Sequence, residues 1–237
     1  MSSIIVNNLH KSFKSNHVLS GLSFECHNEI VFVAGLNGAG KTTLIRLASN
    51  LEFADKGTVS LTNDNGKPLE DGIGVVFDTP CLYRKMTCKQ NINIFCTGYL
   101  DDKKHMQKVL DNLNIDSVLM RKNVDDCSFG QQHRVNVAIA LIRKPTILFL
   151  DEPTIGLDPI SWELIKDSII QNKNEQGGCV VITGQDYHEL GQMADKLLIL
   201  RDGKSQYYGT VDDFVSLQEE KSLKDALYPN LRNGGNV

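Results

Sequence analysis

Basic residues are too few in this chain to attract nucleic acid. Lys and Arg number 25 against 29 Asp and Glu, a formal net charge of −4, which leaves no electrostatic footprint for a phosphate backbone. Long apolar runs are missing as well. Stretches such as Ile147 to Leu150 and Leu197 to Leu200 are of strand length, far short of the ~20 residues needed to span a bilayer, so work at a membrane would have to go through a partner. The opening residues show no basic-then-apolar signal segment, and Cys26, Cys81, Cys88, Cys96, Cys127 and Cys179 contain no C-x-x-C pair. Free thiols in a reducing cytoplasm are therefore expected rather than a paired-cysteine zinc site. Internal repeats and low-complexity linkers are absent too. What is present, 237 residues at 41% hydrophobic and 23% charged, suits one compact unit with a subdomain.

The most informative stretch is Gly35-Leu36-Asn37-Gly38-Ala39-Gly40-Lys41-Thr42-Thr43, which fits G-x-x-x-x-G-K-[ST]. Ile30 to Ala34 before it reads as a buried strand, and Thr43 to Ala48 after it as a helix. In that setting the motif is a P-loop. Glycines let the backbone turn so that successive N–H groups and the helix N-terminus face a phosphate chain. Lys41 adds positive charge and Thr42 offers a hydroxyl to Mg²⁺. The expected ligand is a nucleoside triphosphate.

In chain order, Ser3 to Leu9 predicts a strand, followed by Phe13 in a polar segment, and Leu19, Leu22 and Phe24 a second strand. Thr58 to Leu61 alternates as a strand, with a turn at Asn63-Asp64-Asn65-Gly66, and Gly72 to Phe77 reads as a buried strand ending at Asp78. From Thr87 to about Lys144 the spacing is helical, with Met106, Val109, Leu110 and Leu113 as an example. This divides the chain into an α/β core over 1–77 and 145–210, a helical insertion over 78–144, and a short amphipathic tail over 211–237 that frays at Asn233 to Asn236. Ile147-Leu148-Phe149-Leu150 returns to strand pattern and ends in Asp151-Glu152. Carboxylates at the end of a buried strand beside a P-loop strand can hold Mg²⁺ and orient a water. Cys179 to Thr183 and Leu197 to Leu200 are further strands, and Asp202-Gly203 is a hairpin turn.

Taken together, these motifs resemble the ATP-binding subunit of an ABC transporter from about residue 3 to residue 210. The Walker A match is Gly35 to Thr43 and the Walker B match is Ile147 to Asp151. Cys127-Ser128-Phe129-Gly130-Gln131-Gln132-His133-Arg134 is similar to the signature motif, and Gly156-Leu157-Asp158-Pro159 to the D-loop. The resemblance implies a P-loop α/β fold with a mostly parallel sheet, a small antiparallel part near the N-terminus and an inserted helical subdomain. It also implies ATP and Mg²⁺ as cofactors. Phe13 would stack on the adenine. Gly35, Asn37, Gly38, Ala39, Gly40, Lys41, Thr42 and Thr43 would hold the phosphates, and Thr42, Asp78 and Asp151 the metal. Glu152 would be the catalytic base, while Ser128, Gly130 and Gln131 would meet the γ-phosphate of an opposite subunit. The implied partners are a membrane-spanning subunit and a second ATPase subunit, identical or different, on the cytoplasmic face of a membrane.

Three positions depart from the family pattern. Asp78 stands where Gln is usual, which puts coupling to the membrane subunit in question rather than metal contact. Phe129 replaces the first Gly of the signature, a change that leaves function intact. Asp78 and Phe129 together suggest export of a peptide, antibiotic or other amphipathic compound. Gln185 stands where a switch His is usual. His188, one helical turn later, is the alternative, although the spacing to Asp186 favours Gln185. Two rival readings are a soluble ABC-type ATPase and an ATP-binding scaffold subunit with little hydrolysis.

Gln185 can donate a hydrogen bond but cannot become cationic as charge shifts in a transition state. Gln185→His is expected to raise turnover about ten- to thirtyfold, equivalent to roughly 1–2 kcal/mol, with little change in ATP affinity. Steady-state kinetics of Gln185→His, Gln185→Ala and His188→Ala test this. A neutral Gln185→Ala beside a crippled His188→Ala would move the switch to His188.

Overall fold

The computed structural model describes residues 2–63, 65–69, 71–220 and 222–232. The chain starts with β1 (Ser3–Phe13), β2 (Asn16–His27) and, after the central strand β3 (Ile30–Ala34) and helix α1 (Lys41–Ala48), β4 (Lys56–Thr62). β2, β1 and β4 form an antiparallel three-stranded sheet. β1 is longer than its hydrophobic pattern indicates and carries Phe13 at its end. Breaks in register flank Asn7 and Asn8, with Asn8 at φ 48°, and these obscure the alternation that would have marked the whole strand. Asp64 of the expected turn lies outside the described residues, and Asn63 Oδ1 there accepts from the Asn65 and Lys67 amides.

The main sheet adds β5 (Ile73–Val76), β6 (Ile147–Leu150), β7 (Cys179–Gly184), β8 (Lys196–Arg201) and β9 (Lys204–Thr210) in the order β5-β6-β7-β3-β8-β9. All neighbouring pairs are parallel except β8 with β9. This order corrects one expectation: the strand ending in Asp151 is not beside the P-loop strand, because β7 lies between them. Parallel neighbours are joined by long crossovers, so strand order in space need not follow chain order. β3 is buried on both faces. Ile30, Phe32 and Ala34 enter one apolar cluster, while Val31 and Val33 enter the other with α1 and the antiparallel sheet. A strand covered on both faces reads as an unbroken apolar run.

Between β5 and β6 the described regular elements are helices, α2 (Cys88–Phe95), α3 (Lys103–Asn112), α4 (Ser117–Arg121) and α5 (Phe129–Ile142), with a 3₁₀ turn at Val124–Asp126 and an isolated bridge of Thr87 with Asn123. Thr87 and Gln90 form a capping box at the start of α2, and Asp102 and Asp116 cap α3 and α4, so each start is set by its own side chains. Ile92, Leu110 and Leu113 pack in the same cluster as Val76 and Leu150. Helices α6 (Pro159–Gln176) and α7 (Tyr187–Met193) cover that face of the sheet. The segment expected as a tail contains α8 (Val211–Leu217) and α9 (Leu223–Arg232), and Phe214, Leu223, Ala226 and Leu227 are buried in this cluster with Leu190 and Leu197. Helices α8 and α9 are therefore anchored to the core through Phe214, Leu223, Ala226 and Leu227, while Asn233 to Asn236 lie outside the described residues.

His133 sits on the buried face of α5, fully enclosed, with both ring nitrogens unpartnered. Burial pushes its imidazole down to about 4, with the Asp78 charge opposing that shift. The unfolded chain therefore holds more protons than the folded one between the ordinary value of about 6.5 and about 4. His133 thus contributes stability above pH 6.5 that is lost as pH falls towards 4, about 3 kcal/mol in all. His133→Leu is expected to flatten that limb by up to one proton, about 1.4 kcal/mol per pH unit. Urea unfolding at stepped pH measures it, and an unchanged slope would contradict the burial argument.

Candidate functional site

The loop from β3 to α1 is shaped by close contacts. A Cβ on Gly35 would lie 2.5 Å from the Leu200 carbonyl oxygen, and one on Gly40 would lie 2.9 Å from Leu19 Cδ2. Gly40, at φ 103°, is the N-cap of α1. It supplies no side-chain hydrogen bond, and no acidic residue stands in the first turn. The first N–H groups of α1 are thus uncapped by side chains and carry the positive end of the helix dipole, which is the arrangement that receives an anion.

A cleft of about 440 Å³ opens over this N-terminus, lined by Phe13, Asn16, Val18, Asn37, Gly38, Gly40, Lys41, Thr42, Thr43, Asp78, Glu152 and Ile155. Nine of these were nominated from the sequence, and they come from β1, the P-loop, the segment after β5 and the end of β6. Ala39 instead lines an adjoining groove with Leu36, Asn37, Gly38 and Leu200 to Asp202. Phe13 is 45% exposed and has the Lys11 ammonium 5.1 Å from its ring centroid. Lys11 is anchored in turn by Glu52 at 3.0 Å and the Phe53 carbonyl at 2.8 Å, so a cation is fixed beside the ring.

Lys41 is buried, and its ammonium donates to the Gly35 carbonyl at 2.8 Å and the Leu36 carbonyl at 3.3 Å, and pairs with Glu152 Oε1 at 3.0 Å. Three donors meet three acceptors, so a phosphate can reach this ammonium only by displacing one of them. The two carbonyls are fixed in backbone, whereas the Glu152 side chain can rotate. Glu152 sits at φ 50°, and its Oε2 is buried without a partner.

Asp151 is buried and does not line the cleft. Its Oδ1 accepts from Thr183 Oγ1 at 2.6 Å. Gln185 does not line it either, but its Nε2 donates to Asn37 Oδ1 at 2.6 Å, which brings it to the P-loop. His188 instead lines a groove between α7, α8 and α9, with its Nε2 3.2 Å from Gln192 Nε2. Of the two switch candidates, only Gln185 touches the P-loop.

Ser128, Gly130 and Gln131 lie apart from the cleft. Ser128 and Gln131 form a capping box at the start of α5, the Gln131 amide donating to Ser128 Oγ and the Ser128 amide to Gln131 Oε1. A Cβ on Gly130 would lie 2.8 Å from Ser161 Oγ, so its lack of a side chain admits the start of α6. The ring of Phe129 stacks on His133 at 5.8 Å and crowds Gly156, where a Cβ would lie 3.2 Å from the ring. Sequence reasoning missed Asn16, Val18, Ile155 and Thr183. Only Thr183 left a signal, a hydroxyl ending an otherwise apolar strand.

A family model described as ABC transporter matches residues 19–155. An uncharacterized ABC transporter ATP-binding protein of Bacillus subtilis is 31% identical over 231 residues, spanning 94% of this chain and 71% of that protein. A phosphonates import ATP-binding protein of Haloarcula marismortui is 29% identical over 247 residues, spanning 95% of this chain and 89% of the relative. The solved structure of an ATP binding subunit of an ABC transporter has a TM-score of 0.85 at 23% identity, covering 96% of this chain and 98% of its own. A dimeric ATP-binding cassette in a post-hydrolysis state with ADP and Pi has a TM-score of 0.77 at 23% identity, covering 88% and 98%.

Because a phosphate must displace Glu152 from Lys41, weakening that ion pair should tighten nucleotide binding. Glu152→Asp keeps the charge but is too short for the same contact, and ADP affinity is expected to rise about tenfold, the equivalent of ~1.4 kcal/mol. Fluorescence titration with Glu152→Gln as companion separates this from charge repulsion, because repulsion alone would tighten only the Gln variant.

Proposed function

This chain belongs to the ABC transporter family as an ATP-binding ATPase subunit, and from that premise we propose that the cleft over α1 binds and hydrolyses ATP·Mg²⁺ to drive a separate membrane-spanning subunit. The observation that carries this reading is the uncapped N-terminus of α1 with Lys41, Phe13, Asp78 and Glu152 around one cleft. Phe13 receives the adenine, residues Gly35 to Thr43 cradle the phosphates, and Gln185, hydrogen-bonded to Asn37, approaches the γ-phosphate. Glu152, released from Lys41, accepts a proton from the attacking water. Thr42, Asp78 and Asp151 offer only oxygen, which suits Mg²⁺. Among the described residues no cluster of three His, Cys, Asp or Glu could hold a metal, so the ion is expected to arrive with the nucleotide, whose phosphates complete its shell. When bound, Mg²⁺ neutralises charge on the transferring phosphoryl group.

Ser128, Gly130 and Gln131 stand outside the cleft and are assigned to the site of a second ATPase subunit. The start of α5 would face its γ-phosphate and bind the two subunits together through the nucleotide. A dimeric cassette among the structural neighbours is in keeping with a pairing of two such subunits. No described helix is long and apolar enough to cross a membrane, so transport requires the partner. Exposed Cys81, Tyr83 and Met86, with Tyr83 stacked on Phe95 at 5.5 Å, offer that partner an apolar surface next to Asp78. For direction, our reading is export of an amphipathic compound, supported by Asp78 and Phe129 alone. Named relatives include importers, so vesicles loaded with the candidate cargo are the deciding assay.

Lys41→Ala is expected to abolish ATP binding, whereas Glu152→Gln retains it and loses about 10²–10⁴-fold in hydrolysis. In size exclusion with ATP·Mg²⁺ the Glu152→Gln protein should run as a dimer. Equal ATP affinity in the two variants would overturn the site assignment. A monomeric Glu152→Gln that binds ATP would make the partner ATPase a different chain.

A further inference from the structure

β7 lies between the strand that launches the P-loop and the strand that ends in Asp151-Glu152. Val33 pairs with Thr183 on one side and Leu150 with Ile182 on the other, so Thr183 stands level with the first residue beyond β6. It is fully buried at the end of the apolar run Cys179 to Ile182. A hydroxyl is costly there unless bonded. Its two bonds go to two functional residues: Oγ1 donates to Asp151 Oδ1 at 2.6 Å and accepts from the Glu152 amide at 3.1 Å. The Glu152 amide is shared with the Thr183 carbonyl at 3.2 Å.

We propose that Thr183 is a positioning residue for hydrolysis, its single hydroxyl setting both the Asp151 carboxylate and the backbone turn that carries the Glu152 side chain into the cleft. This rests on the roles proposed above for Asp151 and Glu152. Glu152 stands at φ 50°, a left-handed conformation that an L-residue keeps only when its surroundings hold it. The hydroxyl is one of those holds. The Asp151 carboxylate, buried beside it, takes its orientation from the same proton. A purely structural Thr would need only to fill the end of β7, and Val would do that equally well.

The same geometry explains why the test can be clean. In Thr183→Val the Glu152 amide keeps the backbone carbonyl of residue 183, and the Asp151 amide keeps the Val76 carbonyl at 2.8 Å, so the strand ends remain paired. What is lost is the bond to the Asp151 carboxylate and one of the two acceptors of the Glu152 amide. Loss of a positioned group typically appears in turnover rather than in ground-state binding.

Thr183→Val and Thr183→Ser are compared with wild type for kcat, KM for ATP, ADP affinity with and without Mg²⁺, and melting temperature, with Glu152→Gln run alongside. Thr183→Val is expected to lower kcat about 10²-fold while KM moves less than about threefold. Its ADP affinity without Mg²⁺ should stay unchanged, while the tightening produced by added Mg²⁺ shrinks. Thr183→Ser, which keeps the hydroxyl, should return kcat to within about threefold of wild type. The proposal is overturned by wild-type kcat in Thr183→Val, by a loss that Ser does not restore, or by metal-free ADP affinity and melting temperature falling together. A dead Glu152→Gln beside a fully active Thr183→Val refutes the positioning role alone. A fully active Glu152→Gln refutes the underlying assignment of the base, and the positioning role with it.

Discussion

A helix that begins inside a protein must find partners for its first amide groups, and α1 finds none among its own cap residues. Gly40 brings no side chain, and the first turn carries no acid. Lys41 at its head adds a cation whose three donors are occupied by two carbonyls and one carboxylate. The head of α1 thus combines an anion-receiving N-terminus with an acid held on its own cation. In the proposed function the contact between Lys41 and Glu152 would couple recognition to chemistry, since a phosphate that claims the ammonium would also free the carboxylate. The buried, unpartnered Oε2 of Glu152 fits a side chain held back from its working position.

The sheet order makes this possible. With β7 inserted between β3 and β6, its end carries Thr183 into the gap between the P-loop and the acidic pair, and carries Gln185 on to Asn37. β7 therefore aligns both sides of the cleft without contributing a cleft-lining residue. The cost of burying a hydroxyl at Thr183 is offset by two hydrogen bonds, one to the Asp151 carboxylate and one from the Glu152 amide.

Two of the three departures from the family pattern, Phe129 and Asp78, are linked through His133. Phe129 lies on Gly156 and stacks on His133, and His133 feels the charge of Asp78. The ring at position 129 adds a contact between the start of α5 and the loop at Gly156 within one subunit. The change is therefore a packing link as well as a variation in a motif. It is accompanied by a buried imidazole with no hydrogen bond, a combination that a well-satisfied core would avoid.

Much of the site was legible in the sequence because it is local. The P-loop and the pair Asp151-Glu152 each depend on residues a few positions apart, whose turn, charge and hydrogen-bonding chemistry act locally. The nine cleft residues nominated in advance include Asp78, for which only the resemblance to a family supplied a role. Strand order, by contrast, is a property of crossovers that sequence order does not constrain, and so β6 was expected beside β3. The fate of residues 211–227 depended on whether α7 and the sheet left an apolar surface to cover, which only the packed core reveals. The same holds for the contacts of Lys41 with Glu152 and of Thr183 with Asp151. Each joins residues distant in the chain, and each exists because a parallel sheet brings the ends of its strands to one edge.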